Sequence, residues 1–179
     1  MPQNPVLPRA HVHALSEACA DNPAVEVAAK RALDGQARLT RFFRTNLPAM
    51  APQPGEVSLY LLSVVIRVFE GSGGQLKRVG AAEIDAATRK LAGFAPKVLP
   101  GDEGFPARVR EIADRAQPHL LDEALFALFE REKNLEKEVD VPSDQAALVF
   151  LMLWAATEAL ELSWRAPVNP TWLADEPAT

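Results

Sequence analysis

The sequence predicts an all-α protein, a compact helical bundle of about six or seven helices, and three observations support this prediction. Alanine and leucine dominate the chain and tyrosine occurs once, a composition that favours helices. Two segments, at about 56–70 and 144–164, are apolar around most of their circumference, so each must be surrounded by other groups. No segment shows the alternation of a half-buried strand. The two apolar segments are therefore predicted to be central helices against which the others pack.

The composition favours one cytoplasmic domain. The chain has 179 residues, of which 48% are hydrophobic, enough for a single core, and we expect one domain over residues 1–179. Its single cysteine, Cys19, excludes an internal disulfide and a cysteine-rich zinc site, and it fits a reducing compartment. The N-terminus lacks the apolar core of a signal peptide. Glu158 and Glu161 interrupt the longest apolar run, so we expect no membrane span.

The first part of the chain is predicted to contain two helices before the first central one. Residues 1–8 contain three prolines and are expected to form a mobile, extended arm. A short helix is expected over 9–20. The segment 23–46 has the clearest amphipathic pattern, although Gly35 weakens its interior and predicts a bend. The prolines of 47–55 predict a loop.

Beyond the first central helix, the pattern predicts two short helices, at 81–91 and 107–116, and a long helix at 122–138. Gly93 is expected to end the first of them, and the stretch 94–106 is rich in proline and glycine, which predicts a loop. The tail 166–179 is rich in proline, and we expect Trp172 and Leu173 to tether it to the body of the protein.

Charge is distributed unevenly along the chain. The net charge is −5, with about +4 in residues 1–100 and about −9 in residues 101–179. The helix predicted at 23–46 carries a basic face that could contact phosphates or an anionic membrane surface. Its candidate residues for an anionic partner are Arg31, Arg38, Arg41 and Arg44. The acidic balance of the whole chain and the lack of interleaved aromatic residues weigh against nucleic-acid binding.

A narrow polar stripe runs along the first central helix. At 100° per residue it comprises Glu56, Tyr60, Ser63, Arg67 and Glu70. The stripe could be the exposed seam of a core helix, a two-fold dimer seam, or one wall of a ligand pocket. If it faces inward, Arg67 needs a carboxylate partner, which Glu70 or the second central helix could supply.

Neither of two tempting constellations supports catalysis or metal binding. Glu158 and Glu161 lack the Glu-x-x-His pattern of a di-iron bundle, and we interpret them as a solvated helix edge on which Glu161 pairs with Arg165. His11 and His13 are two residues apart, a spacing that directs helical side chains about 200° apart. No cofactor and no metal site is predicted.

The sequence leads to three hypotheses about function. The first is a soluble, non-enzymatic interaction or regulatory protein that acts through a helical surface, with itself as a homodimer or another protein as its partner. The second is a bundle that binds a small apolar or anionic ligand, as a binding protein or as an enzyme of unfamiliar type, in a pocket lined by Tyr60, Arg67, Trp154 and Glu158. The third is nucleic-acid binding through the basic face. No motif in the chain decides among them.

Overall fold

The computed structural model describes residues 4–47, 50–132 and 140–173, and it confirms an all-α fold. Eight α-helices lie in these ranges and share one hydrophobic core. In chain order the elements are α1 (Arg9–Asp21), α2 (Val25–Gly35), α3 (Ala37–Asn46), α4 (Pro52–Gly71), β1 (Gln75–Leu76), α5 (Ala81–Val98), α6 (Phe105–Arg110), α7 (Pro118–Leu125) with a π-helical turn (Phe126–Glu130), α8 (Ser143–Ser163), β2 (Trp164–Arg165) and a 3-10 turn (Thr171–Leu173).

Helix α8 lies at the centre of the bundle. Its side chains are apolar on all sides, and almost every residue from Ala146 to Leu160 is buried. The helix packs against α4 on one side and, over a longer contact, against α5 on another. The two predicted central helices are therefore confirmed. By length and composition α8 could also cross a membrane, but 78% of its most apolar window is buried inside the protein.

The amphipathic segment predicted as one bent helix is two helices, α2 and α3, separated at Gln36. This residue is 4% exposed although its side chain is polar. Its Oε1 accepts a hydrogen bond of 2.9 Å from the N–H of Val79, and its Nε2 donates one of 3.2 Å to the carbonyl of Lys77. The side chain therefore satisfies the backbone of a neighbouring loop. A break at this position explains why the structure has one helix more than the pattern predicted.

The predicted end of α5 at Gly93 is wrong, as is much of the loop expected after it. The helix continues through Gly93 and Pro96 to Val98. Packing explains the extension, because Val98 is fully buried and the ring of Phe94 stacks on Trp154 at a centroid distance of 5.4 Å. Burial of these side chains offsets the cost of a glycine in a helix, which is about 1 kcal/mol.

The helices predicted at 107–116 and 122–138 have different bounds in the structure. Helix α6 ends at Arg110, and α7 begins at Pro118, which occupies the first helical position, where its missing N–H costs nothing. The π-helical turn then ends at Glu130. Residues 133–138 of the predicted helix lie outside the described residues.

Residues 4–8, which were predicted to form a mobile arm, contact the body of the protein. Leu7 is fully buried, and the side chain of Asn4 donates a hydrogen bond of 2.9 Å to the carbonyl of Trp164. The same amide accepts a bond of 3.0 Å from the N–H of Ala166. This segment is extended, as its prolines require, but it is fixed to the end of α8.

Strand β2 and Trp172 also anchor the start of the C-terminal tail. Strands β1 and β2 pair antiparallel over two residues each, a ladder too short for the sequence pattern to reveal. Further along, Trp172 is buried, and its Nε1 donates a hydrogen bond of 3.0 Å to the carbonyl of Ser72. The predicted tether is therefore confirmed for Trp172, whereas Leu173 is 41% exposed.

Candidate functional site: an apolar groove between three helices

An apolar concavity with a volume of about 610 Å³ lies between α1, α4 and α7. Each helix contributes residues at intervals of three or four, which form one stripe of a helical surface. The stripes comprise His13, Ser16, Glu17 and Ala20 on α1; Gln53, Val57, Tyr60, Leu61 and Val64 on α4; and Leu120, Glu123, Ala124, Ala127 and Leu128 on α7 and the turn that follows it.

Large apolar side chains remain accessible in this groove. Tyr60 is 38% exposed and Phe126 is 47% exposed. Val57, Leu61 and Val64 are only partly buried, although they belong to a helix that otherwise lies in the core. Contiguous accessible apolar surface of this kind is typical of sites that contact a ligand or a partner.

The rim of the groove is charged, and His13 connects two of its walls. The Nδ1 of His13 lies 2.8 Å from an oxygen of Glu123 on α7, and its Nε2 lies 3.2 Å from Glu17 on its own helix. The hydrogen bond and the charge of Glu123, with a further contribution from Glu17, raise the pKa of His13 above its usual value. Glu56 and Arg131 also line the groove, and both are exposed.

The residues of the polar stripe on α4 lie in different environments. Neither an exposed seam, nor a dimer seam, nor the wall of a pocket therefore describes the whole stripe. Tyr60 lines the groove, whereas Ser63 is buried and donates a hydrogen bond of 2.6 Å to the carbonyl of Tyr60. Arg67 is partly buried, and its Nη1 has no hydrogen-bond partner in the described part of the chain. Burial raises the pKa of Cys19 on α1, and the positive charge of Arg67 partly opposes this rise. Glu70 is exposed.

Glu158 is buried, so the interpretation of a solvated helix edge is wrong for this residue. It is 6% exposed, and its Oε1 accepts hydrogen bonds of 3.0 Å from the indole of Trp154 and from the N–H of Ala116. Its Oε2 lies 2.9 Å from the ammonium of Lys90 on α5, which also contacts Asp114. The carboxylate is thus paired and fully hydrogen-bonded, as a buried charge requires.

Glu161 is likewise part of a structural network rather than a surface pair with Arg165. Its Oε2 accepts a hydrogen bond of 3.0 Å from the amide of Gln117. The same Gln117 amide donates to the carbonyl of Pro5, and its oxygen accepts from the N–H of Leu7. Burial raises the pKa of Glu161, against the lowering effect of the bond from Gln117. The network joins the N-terminal segment to α8.

The four residues predicted to line a ligand pocket between the two central helices have different surroundings in the structure. Of these four residues, only Tyr60 lines the groove. Trp154 is fully buried between the rings of Phe94 and Phe150, and the polar atoms of Glu158 are used within the core. The walls contributed by α1 and α7 were not predicted, because the convergence of three helices is not a property of any one segment.

The basic face is divided between two helices, with Arg31 on α2 and Arg38, Arg41 and Arg44 on α3. All four side chains are exposed, and none has an ion-pair partner among the residues that the structure describes. This distinguishes them from the arginines of α6, which contact carboxylates.

The two N-terminal histidines diverge, as their spacing predicted. His11 stacks on Trp172 at a centroid distance of 5.6 Å and lies 3.0 Å from the hydroxyl of Ser72, whereas His13 lies at the rim of the groove. Within the described ranges no group of three or more histidine, cysteine or acidic side chains is arranged to hold a metal ion.

The fold and the groove thus define an all-α protein with an accessible apolar site. Comparison of the chain with known proteins finds no family model, no curated protein and no solved structure that matches it. The geometry of the groove and the chemistry of its rim are therefore the basis for a proposed function.

Proposed function

We propose that the protein is a non-catalytic cytoplasmic binding protein, and that the groove between α1, α4 and α7 is its binding site. The observation that supports this proposal is the accessible apolar lining, in which Tyr60 and Phe126 remain exposed beside a charged rim. Its volume of about 610 Å³ falls in the usual range for ligand sites. The ion pair between Lys90 and the buried Glu158 lies outside the groove.

A change that fills the groove without altering charge tests this proposal. Ala127 lines the groove and is partly buried, so Ala127→Trp places an indole in the binding space. Ala92→Trp is the matched control, because Ala92 is exposed on α5 and lies away from the groove. Circular dichroism and thermal unfolding establish that both variants retain the fold.

The probe is Nile red, an uncharged apolar dye whose emission reports its surroundings. We expect saturable binding to the wild type and to Ala92→Trp, and an affinity lower by about tenfold or more in Ala127→Trp, equivalent to about 1.4 kcal/mol. Equal affinities in both variants, or no saturable binding to the wild type, would show that the groove is not a binding site.

A homodimer remains a hypothesis, but the groove is a poor seam for one. A two-fold axis through it would bring the acidic rim formed by Glu17, Glu56 and Glu123 against the same rim of the second copy. Like charges in such an arrangement repel. Native mass spectrometry over a concentration series tests self-association directly, and a dimer mass that survives Ala127→Trp would assign the dimer to another surface.

Binding of a polyanion is a second candidate function, because the four arginines of the basic face are exposed and unpaired within the described residues. Affinity for a DNA duplex should then fall steeply with salt and should fall further in Arg38→Gln/Arg41→Gln. Arg78→Gln/Arg89→Gln serves as the charge-matched control. Salt-independent binding, or no binding at low salt, would eliminate this function.

A further inference from the structure

We infer that the occupant of the groove is one amphipathic α-helix of another protein, about three turns long, with lysine or arginine residues beside its apolar face. The inference rests on the proposed function, because it names the occupant of that same site. It is argued from the shape of the groove and from the charges on its rim.

The shape of the groove matches a helix. Its three walls are themselves helices, and each presents one stripe of residues spaced three or four apart, the arrangement through which helices pack on one another. Along α4 the lining extends from Gln53 to Val65, which at 1.5 Å per residue is about 18 Å. A helix of about 12 residues has this length, so a fourth helix would complete the packing of the other three.

The exposure of the lining indicates that the site is a groove and not a closed cavity. Tyr60 on one wall and Phe126 on another are both accessible to solvent, so the long side of the groove is open. A helix bound there would bury its apolar face against Leu61 and Val64 and leave its opposite face in water. Amphipathic helices bind hydrophobic grooves in this way, with anchors at intervals of three and four residues.

The rim determines the charge of the partner. Among the residues that the structure describes, three carboxylates, those of Glu17, Glu56 and Glu123, line the groove, against one arginine, Arg131. His13 contacts Glu17 and Glu123. When it is protonated, its positive charge therefore offsets those two carboxylates and not that of Glu56. Complementarity therefore favours a helix with basic residues at its edges, and it disfavours an acidic helix or a second copy of this chain.

Two designed peptides test the inference. Both have 14 residues and the same leucine and alanine face, and the polar positions carry lysine in one and glutamate in the other. Binding of each labelled peptide to the whole protein is measured by fluorescence anisotropy at low and high salt, and circular dichroism reports helix formation. We expect the lysine peptide to bind at least about tenfold more tightly, with a difference that shrinks as salt rises.

Variants distinguish binding of the lysine peptide in the groove from its general electrostatic attraction to an acidic protein. Ala127→Trp leaves the net charge unchanged and should abolish binding of the lysine peptide, whereas Ala92→Trp should not. Glu17→Gln/Glu56→Gln should reduce the preference for lysine by about fivefold or more. The control, Glu26→Gln/Asp85→Asn, removes the same charge from exposed positions of α2 and α5 and should leave the preference unchanged.

The outcomes separate the two proposals. If both peptides bind equally and Ala127→Trp blocks both, the groove is a binding site but the inferred charge of the partner is wrong. If Nile red binds in the groove and neither peptide does, the proposed function stands and a helical occupant is excluded. If neither the dye nor the peptides bind, the proposed function and the inference fail together.

Discussion

The indole nitrogen of Trp154 donates a hydrogen bond of 3.0 Å to the carboxylate of Glu158, one turn further along α8. The same oxygen accepts the N–H of Ala116, and the other oxygen contacts Lys90 at 2.9 Å. One buried side chain thus joins three parts of the chain: α8, α5 and the segment before α7. We therefore expect the carboxylate of Glu158 to matter more for stability than any exposed ion pair of the protein.

Replacement of this carboxylate should be costly, and the chain offers a matched control. Glu158→Gln removes the charge that faces Lys90 while keeping the size of the side chain, and we expect the free energy of unfolding to fall by about 2 to 4 kcal/mol. Asp114→Asn removes the other partner of Lys90, whose side chain is 74% exposed, and should cost less than about 0.5 kcal/mol. Urea unfolding measures both changes, and similar values for the two variants would contradict the assigned role of Glu158.

Two glycines should respond in opposite ways to replacement by alanine. Gly74 has φ of +74°, and a Cβ there would lie 2.1 Å from the carbonyl oxygen of Arg165, so Gly74→Ala should destabilise the protein by about 2 kcal/mol or more. Gly93 lies inside α5 with no atom within 4 Å of the added carbon, so Gly93→Ala should stabilise it by about 0.5 to 1 kcal/mol. Thermal unfolding checks both signs, and a loss of stability in Gly93→Ala would show that the helix is strained there.

The sequence was informative where a single segment determined its own surroundings. The apolar circumference of α8 predicts its burial without reference to any other element, and Trp172 is predicted to anchor the tail because a large aromatic residue lies among prolines. The sequence was misleading where a distant contact decided the result. Gln36 interrupts a helix because its amide bonds to Lys77 and Val79, and α5 continues past Gly93 because Phe94 stacks on Trp154.

The candidate site shows the same limit. Tyr60 could be singled out because it lies on the polar stripe of a mostly apolar helix, and it does line the groove. Glu123 and Phe126 could not be singled out from the sequence, because the pattern of their own segment does not indicate which other helix they face. The burial of Glu158 was equally inaccessible, since it depends on Lys90, which is 68 residues away in the chain.

The contact between His13 and Glu123 should be visible as a shift in the titration of the imidazole. The hydrogen bond and charge of Glu123, followed by those of Glu17, raise the pKa of His13 above 6.5. The folded state therefore binds this proton more tightly than the unfolded state. The resulting stabilisation is complete below pH 6.5 and is lost as the pH rises through the raised pKa.

An NMR titration of the His13 ring measures this pKa directly. In Glu123→Gln the amide keeps a contact with the ring but loses the charge, so we expect the pKa to move back towards 6.5. Glu26→Gln removes a carboxylate that does not contact His13 and serves as the control. An unchanged pKa in Glu123→Gln would show that the two side chains are not in contact in solution.

The contact between Gln117 and Glu161 leads to a second prediction about how stability depends on pH. Here the main cause of the pKa shift is burial rather than a neighbouring charge. Gln117 has φ of 46°, a left-handed conformation that places its amide between Glu161 and the N-terminal segment. Burial raises the pKa of Glu161 above 4.5, so the folded state binds this proton more tightly than the unfolded state. Its favourable contribution is present below pH 4.5 and is lost as the pH rises through the raised pKa.

Glu161→Gln isolates this effect, because the new amide oxygen can accept the same bond from Gln117 without a charge. Relative to the wild type, we expect the variant to gain stability as the pH is raised from 4 to 7, as measured by urea unfolding at each pH. Glu111→Gln, at an exposed position, should show no such trend. A stability difference between Glu161→Gln and the wild type that stays constant over this range would mean that Glu161 is solvated. The bond to Gln117 would then contribute to the attachment of the N-terminal segment only as an ordinary surface contact.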